Sequence, residues 1–529
     1  MSNIGKPPCD EAAILHGPDA LPCAAAGRRW TLVAAVLGSS MAFVDGTVVN
    51  VALPSIQQAL NADAADSQWV VESYALFLAA LLLVGGAFGD RFGRRRIFIV
   101  GAALFTAASV ACGLSASMAQ LIVARSLQGA GAALLVPGSL ALVSAAFPQA
   151  QRGRAIGTWS AFTGIAAAAG PVIGGYLVDH HSWTWAFWVN LPVGIVLLAI
   201  CLTKVPESLG AGSRAPIDFT GALLATVGLA GLVFALIEAS SRGWADGWVV
   251  GSAGIGVAAL AGFVGAERRI RAPMLPLALF RERSFAGANL LTLLLYGALG
   301  GGLFFLPLNL IQVHGYSATF AGAALLPFTA IMFALSRWAG KLVDVFGSRL
   351  PLVVGPGIAA LGFAGFAVPS VGTGYWTGYF PAVCVLGLGM TITVAPLTTT
   401  VMNAAGAELA GTASGVNNAV SRVAALLAIA VFGIVMARAF DMRLLAELQA
   451  MQATPELVQS LVAQRQKLAG IMVPAGLTEP VAAEVKQAIG QSFVAGFRWV
   501  MLLSAGLSLL GALSAWLLVQ GKHGAGRVR

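Results

Sequence analysis

The sequence predicts an all-α polytopic membrane protein: two parallel six-helix halves with two helices inserted between them, fourteen transmembrane helices in all. Three observations carry this. Of 529 residues, 58% are hydrophobic and only 10% charged, whereas soluble domains carry roughly a quarter charged residues. Apolar runs of about 20 residues, long enough to cross a bilayer as helix, recur along the whole chain. A ten-residue pattern in one polar connection also returns at an offset of 254. The composition excludes a soluble enzyme and a disordered chain, and 64 glycines without a three-residue period exclude collagen.

The elements follow in order. Residues 1–29 form a polar tail without a short apolar core and cleavage site, so no cleaved signal is expected. The first half, 30–204, holds spans at about 30–54, 69–89, 97–117, 119–146, 154–177 and 185–203. Two more, about 217–238 and 247–266, form the insert (217–266), and a basic linker covers 267–284. The second half, 285–519, holds spans at about 285–312, 319–341, 350–369, 376–402, 411–437 and 494–519, before a tail at 520–529. Helix is the required form, because an open sheet leaves backbone groups unpaired in lipid. The connection 438–493 opens with an amphipathic stretch (Leu444, Leu445, Leu448, Met451) and closes with another (Val481, Val485, Ile489). It reads as a small helical cap outside the membrane, with a docking surface for a periplasmic adaptor as the alternative.

Orientation follows from the basic residues. With the N-terminus in the cytoplasm, cytoplasmic segments hold 21 Lys and Arg, and the short outer loops hold only Arg242. That bias places both termini in the cytoplasm. It also makes the net charge of +9 a matter of membrane topology, not nucleic-acid binding. Five cysteines without a CxxC pair give no disulfide framework and no metal site.

The repeated pattern is Gly86-x-x-x-Asp90-x-Phe92-Gly93-x-Arg95, matched by Gly340-x-x-x-Asp344-x-Phe346-Gly347-x-Arg349. The equivalent spans are eight apart, so the halves run parallel and two helices are extra, an arrangement found in transporters. Gly86 and Gly340 are expected to permit close helix approach, and Gly93 and Gly347 a tight turn. Asp90, with Arg91 and Arg94 beside it, reads as a gate latch, or as a static staple carrying positive-inside charge.

Ionisable side chains within spans are costly and mark function. Asp45 lies roughly 13 Å and Arg125 roughly 9 Å from the outer ends of their helices at 1.5 Å per residue, so the two can face each other. Glu72 starts the second span. These three are the proton-coupling candidates, with a fixed helix-joining ion pair as the competing reading. Arg422 and Asn417 place polar groups in the thirteenth span, as part of a substrate-cavity wall or as helix-packing polar bonds. Trp159, Phe162, Phe304, Asn309 and Gln312 fall on spans expected to line a cavity for a small amphipathic or cationic organic substrate.

Several of these stretches resemble the major facilitator superfamily. Gly86-Ala-Phe-Gly-Asp-Arg-Phe-Gly-Arg-Arg-Arg96 resembles its signature loop, and Arg125-Ser-Leu-Gln-Gly129-Ala-Gly131 its fourth-helix motif. The run from Gly164 through Gly170 and Pro171 to Gly174 and Gly175 resembles its fifth-helix antiporter motif. Asp45-Gly-Thr47-Val-Val-Asn50-Val-Ala-Leu-Pro54 and Trp183-Thr-Trp185-Ala-Phe-Trp-Val-Asn190-Leu-Pro192 resemble motifs of its fourteen-span drug:proton antiporters. Thr184 stands where that subfamily has a basic residue, and the second loop copy is degraded at Val345 and Leu350. The resemblance implies a proton-coupled efflux antiporter of the bacterial cytoplasmic membrane, working by alternating access, without a cofactor and driven by the proton gradient. A transporter of one metabolite is the alternative. The chain has no Walker A, HExxH or GxSxG pattern, so ATP-driven pumping and membrane-embedded enzymes lack their chemistry.

Overall fold

A computed structural model describes residues 25–208, 218–270, 273, 275–474 and 476–520. Among them there is no strand, and 13 helices are long and apolar enough to cross a membrane, or 14 if the bent pair Ala64–Leu82 and Val84–Phe92 is one span.

The helices are α1 (Ala25–Ala59), α2 (Ala64–Phe92), α3 (Arg94–Gly113), α4 (Met118–Ala146) and α5 (Gln149–His180). They continue as α6 (Trp185–Thr203), α7 (Phe219–Arg242), α8 (Gly247–Glu267) and α9 (Arg283–Leu308). Then follow α10 (Ala318–Ala323), α11 (Leu326–Phe346), α12 (Arg349–Phe366), α13 (Phe380–Ala450), α14 (Pro455–Ala463) and α15 (Glu479–Leu518). Local chemistry marks several starts. Asp63 and Asp66 cap α2 reciprocally, each carboxylate accepting the other's N–H at 2.8 and 3.2 Å. Ser317 accepts the Phe320 N–H at 3.1 Å before α10.

Two differences from the sequence expectation concern helix ends. Helical hydrogen bonding runs unbroken from Phe380 to Ala450, because the connection after Met402 is alanine-rich and contains no proline to interrupt it. The segment 438–493 is helical over much of its length, but its flanking parts belong to α13 and α15. At 40 residues, α15 spans about 60 Å, twice a bilayer's hydrocarbon thickness of ~30 Å. Leu444, Leu448, Val485 and Ile489 on these extensions are buried, which accounts for their amphipathic spacing.

The described residues form two compact units, one within 1–56, 69–232 and 254–274, the other within 57–68, 233–253 and 275–529. The first packs around Phe98, Phe105, Leu135, Leu142 and Leu197. The second buries Phe285, Phe305, Phe363, Phe440 and Phe493.

The second unit contains two π-helical turns, Asn309–Val313 and Tyr375–Tyr379. They meet through Asn309 Nδ2, which donates to Tyr379 Oη at 2.9 Å, and through Tyr379 Oη with His314 Nε2 at 2.8 Å. Burial of His314, just past the end of its helix, pushes its pKa below the ordinary histidine value. The folded protein therefore favours neutral imidazole, and the stability this contributes is present above the ordinary value and lost as pH falls through the depressed one. Thermal unfolding at pH 7.5 and pH 5 should show an acid-induced loss of stability that is smaller in His314→Gln.

Candidate functional site

In the first unit, α1, α2, α4 and α6 converge on a buried charge pair. Asp45 (0% exposed) and Arg125 (1%) form a salt bridge between Oδ2 and Nη1. The other carboxylate oxygen accepts Gln128 Nε2 at 2.7 Å and Asn190 Nδ2 at 3.0 Å. Arg125 also donates to Gln128 Oε1 at 2.7 Å and to the Val70 carbonyl at 3.0 Å. Its guanidinium carbon lies 4.3 Å from the Tyr74 ring centroid and 5.8 Å from that of Phe187, within cation–π range. Ser109 Oγ accepts from both amides, at 3.1 Å from Gln128 and 2.9 Å from Asn190. Gln128 follows Arg125 by three residues, so both sit on one face of α4. Both charges thus have several polar partners, the condition under which a buried pair persists.

Glu72 is different. It is 0% exposed, and neither carboxyl oxygen has a hydrogen-bond partner among the described residues. It lies two residues from Tyr74, about 200° round the helix at 3.6 residues per turn, on another face of α2 from the side chain that covers Arg125. The expected trio is therefore a satisfied Asp45–Arg125 pair plus a separate, bare acid. A lone carboxylate charge in such a place is costly, whereas a neutral acid is tolerated far better.

The antiporter-motif helix packs directly against this site. A Cβ added at Gly170 would lie 2.3 Å from Thr47 Oγ1, and one at Gly174 2.2 Å from Val48 Cγ2. These two glycines let α5 approach α1 one turn from Asp45. Gly164 does not contribute: a Cβ there meets nothing within 4 Å. Pro171 lies within the continuous α5, between the two contact glycines, and Gly175 is buried.

The signature loop joins α2 to α3. Asp90 pairs with Arg94 one turn on, at 3.0 Å, with its side chain 46% exposed, and Arg91 lies exposed against Phe92. Gly93 takes φ +107°, and Gly347 repeats the device at φ +73°. The close approach expected of Gly86 is made by its neighbour: a Cβ at Gly85 would fall 2.1 Å from the Ala133 carbonyl oxygen, whereas one at Gly86 would make ordinary contact at 3.7 Å. The packing of Gly340 and the side chain of Asp344 lie outside what the structure describes. Arg349 stacks 5.7 Å from the Trp516 ring centroid.

Sequence reasoning missed Glu207. Its carboxylate accepts the backbone N–H of Arg95 at 2.9 Å and of Arg96 at 3.2 Å, an anion at the N-terminus of α3 where the helix dipole favours it. Arg95 reaches back to the Cys201 and Leu202 carbonyls, both at 2.8 Å. A Cβ at Gly93 would lie 2.9 Å from the Glu207 carboxyl, so turn geometry and this clamp both require glycine. Gly93→Ala should lower thermal stability and cut transport several-fold. Gly89→Ala, whose Cβ meets nothing closer than 3.9 Å, should do neither; parallel melting curves and transport rates check both.

The cavity candidates divide. Phe304 and Gln312 border a small pocket with Gln57, Phe305 and Phe493, and Gln312 donates to Gln57 at 2.8 Å. Asn309 is fully buried in the Tyr379 network. Asn417 bonds Thr292 and Asn289 at 2.7 and 3.1 Å, joining α13 to α9, and Arg422 is half-buried and engaged. Trp159 donates to Ser39 at 3.1 Å, and Phe162 is 56% exposed.

The sequence profile described as Major Facilitator Superfamily matches residues 35–429. The tetracenomycin C resistance and export protein of Streptomyces glaucescens is 38% identical over 78% of this chain and 76% of its own. The multidrug resistance protein Stp of Mycobacterium tuberculosis is 38% identical over 81% and 79%, and the puromycin resistance protein pur8 of Streptomyces alboniger 36% over 80% and 84%. Among solved structures, a bacterial homologue of the human lysosomal transporter Spinster superposes with TM-score 0.65 at 18% identity, covering 94% of this chain and 100% of that one, a likeness of fold. With its all-helical membrane architecture and a buried acid–arginine network where the family's helix motifs meet, this chain belongs to the major facilitator superfamily of membrane transporters.

Proposed function

We propose that this protein is a proton-driven exporter of amphipathic organic compounds in a bacterial cytoplasmic membrane, with both termini in the cytoplasm. The observation that supports proton coupling is the contrast between two buried acids: Asp45, held as an ion pair by Arg125, and Glu72, buried without a hydrogen-bond partner among the described residues. Glu72 suits a proton carrier, because its neutral form is at home in the apolar interior and its charged form needs a rearrangement that supplies water or a cation. Asp45 and Arg125 are the switch: a helix movement that separates them exposes two costly charges, so proton binding to Asp45 can offset the separation. The names of the relatives above, which speak of export of tetracenomycin C and of resistance to several drugs and to puromycin, support export of drug-like molecules.

The test is transport by purified protein in vesicles. An imposed pH gradient should drive an amphipathic cationic dye against its own gradient, and collapsing the gradient with a protonophore should stop it. Accumulation that persists without the pH gradient would reject proton coupling.

A further inference from the structure

We propose that a cavity on the second unit binds the headgroup of an anionic phospholipid drawn from the outer leaflet. The assignment of leaflet rests on the orientation given above; binding itself does not. The cavity has a volume of about 600 Å³ and opens between the extended part of α13, the loop at Ser370 and Val371, and α15. Arg443, Arg498, Gln487, Gln491, Trp499 and Leu502 are among the residues that line it. Among the described residues no Asp or Glu lines it. Arg443 shares its charge with Glu447 one turn on. Arg498 reaches only the Pro369 carbonyl, at 3.4 Å, and has no carboxylate partner among the described residues.

The lining changes character along α15. Gln487 and Gln491 lie on the part of the helix that precedes the last predicted span. Trp499 and Leu502 enter that span and are 57% and 48% exposed, as befits a surface facing acyl chains. Arginine and tryptophan side by side at that transition match the depth of lipid headgroups. A phosphate diester accepts hydrogen bonds from a guanidinium fork, the glutamine amides reach the polar part of the headgroup, and the acyl chains run over Trp499 and Leu502. Free phosphate uses only the arginines, and a zwitterionic headgroup brings its own cation toward Arg498. An anionic phospholipid uses the whole lining.

The experiment titrates delipidated full-length protein in detergent with phosphatidylglycerol, phosphatidylethanolamine or inorganic phosphate, reading bound lipid by native mass spectrometry and stability by thermal unfolding. Phosphatidylglycerol should bind and raise the melting temperature, and the other two should not. Arg498→Gln should weaken phosphatidylglycerol binding by about tenfold, the scale of one charge-assisted hydrogen bond, while Arg498→Lys retains part of it. Arg443→Gln serves as a second variant should Arg498→Gln lower lipid-free stability. Unchanged binding in both glutamine variants, or an equal effect of phosphatidylethanolamine, would overturn the site. An equal effect of phosphate would overturn the lipid. Because binding is read on purified protein, a failure of dye export leaves this result standing, and the reverse also holds. Cysteine-accessibility labelling at Gln487 reports the leaflet independently.

Discussion

Replacing Arg125 with methionine is expected to destabilise the protein by about 3–5 kcal/mol, the cost of stranding a buried charge. The variant leaves Asp45 with two amide donors and no cation. Asp45→Asn is expected to be milder, since Arg125 keeps the Val70 carbonyl, Gln128 Oε1 and the Tyr74 face. The double variant Asp45→Asn/Arg125→Met should recover much of the stability and none of the transport, because it removes both charges together. Arg125→Lys should not substitute, since one ammonium cannot reproduce the guanidinium's separate bonds to Asp45, Gln128 and Val70. Thermal unfolding of the four variants in detergent, beside dye transport in vesicles, separates the structural cost from the functional one. Equal stability in all four would show that the pair has no structural weight.

The second large effect falls on Glu72. Glu72→Gln removes an ionisable group that has no hydrogen-bond partner among the described residues, so folding should be unchanged or slightly improved. Accumulation against a gradient should fall by at least about tenfold, equivalent to the loss of roughly 1.4 kcal/mol of driving force. Dye movement down its own gradient should survive. Glu72→Asp should keep partial coupling. Gradient-driven accumulation at the wild-type level in Glu72→Gln would remove Glu72 from the proton path.

The sequence carried the architecture because lipid imposes it. Twenty apolar residues bounded by basic ones admit only a spanning helix, and the copies at Gly86 and Gly340 revealed the two halves without any structure. Asp45 and Arg125 were legible for the same reason: charges are rare in such segments, and counting residues from the helix ends put both at similar depth. Gln128 and Asn190 stood inside recognised motifs, yet an amide in an apolar run does not announce which charge it serves. Glu207 gave no signal, since it lies in a polar stretch and its role depends on α3 beginning beside it. Gly85 and Gly86 are equivalent in sequence, and only helix rotation decides which one meets Ala133. The isolation of Glu72 was beyond sequence reading, because the absence of a partner is a property of packing in three dimensions.

The central claim is that Glu72 stores a proton in the buried interior and surrenders it when cargo is handled. Infrared difference spectroscopy of the purified protein, recorded with and without a transported dye and compared with Glu72→Gln, tests it most directly. The account predicts a neutral-carboxyl component in the resting protein that Glu72→Gln removes and that decreases when dye is added. A neutral-carboxyl signal that Glu72→Gln leaves undiminished, or that dye leaves unchanged, would contradict it.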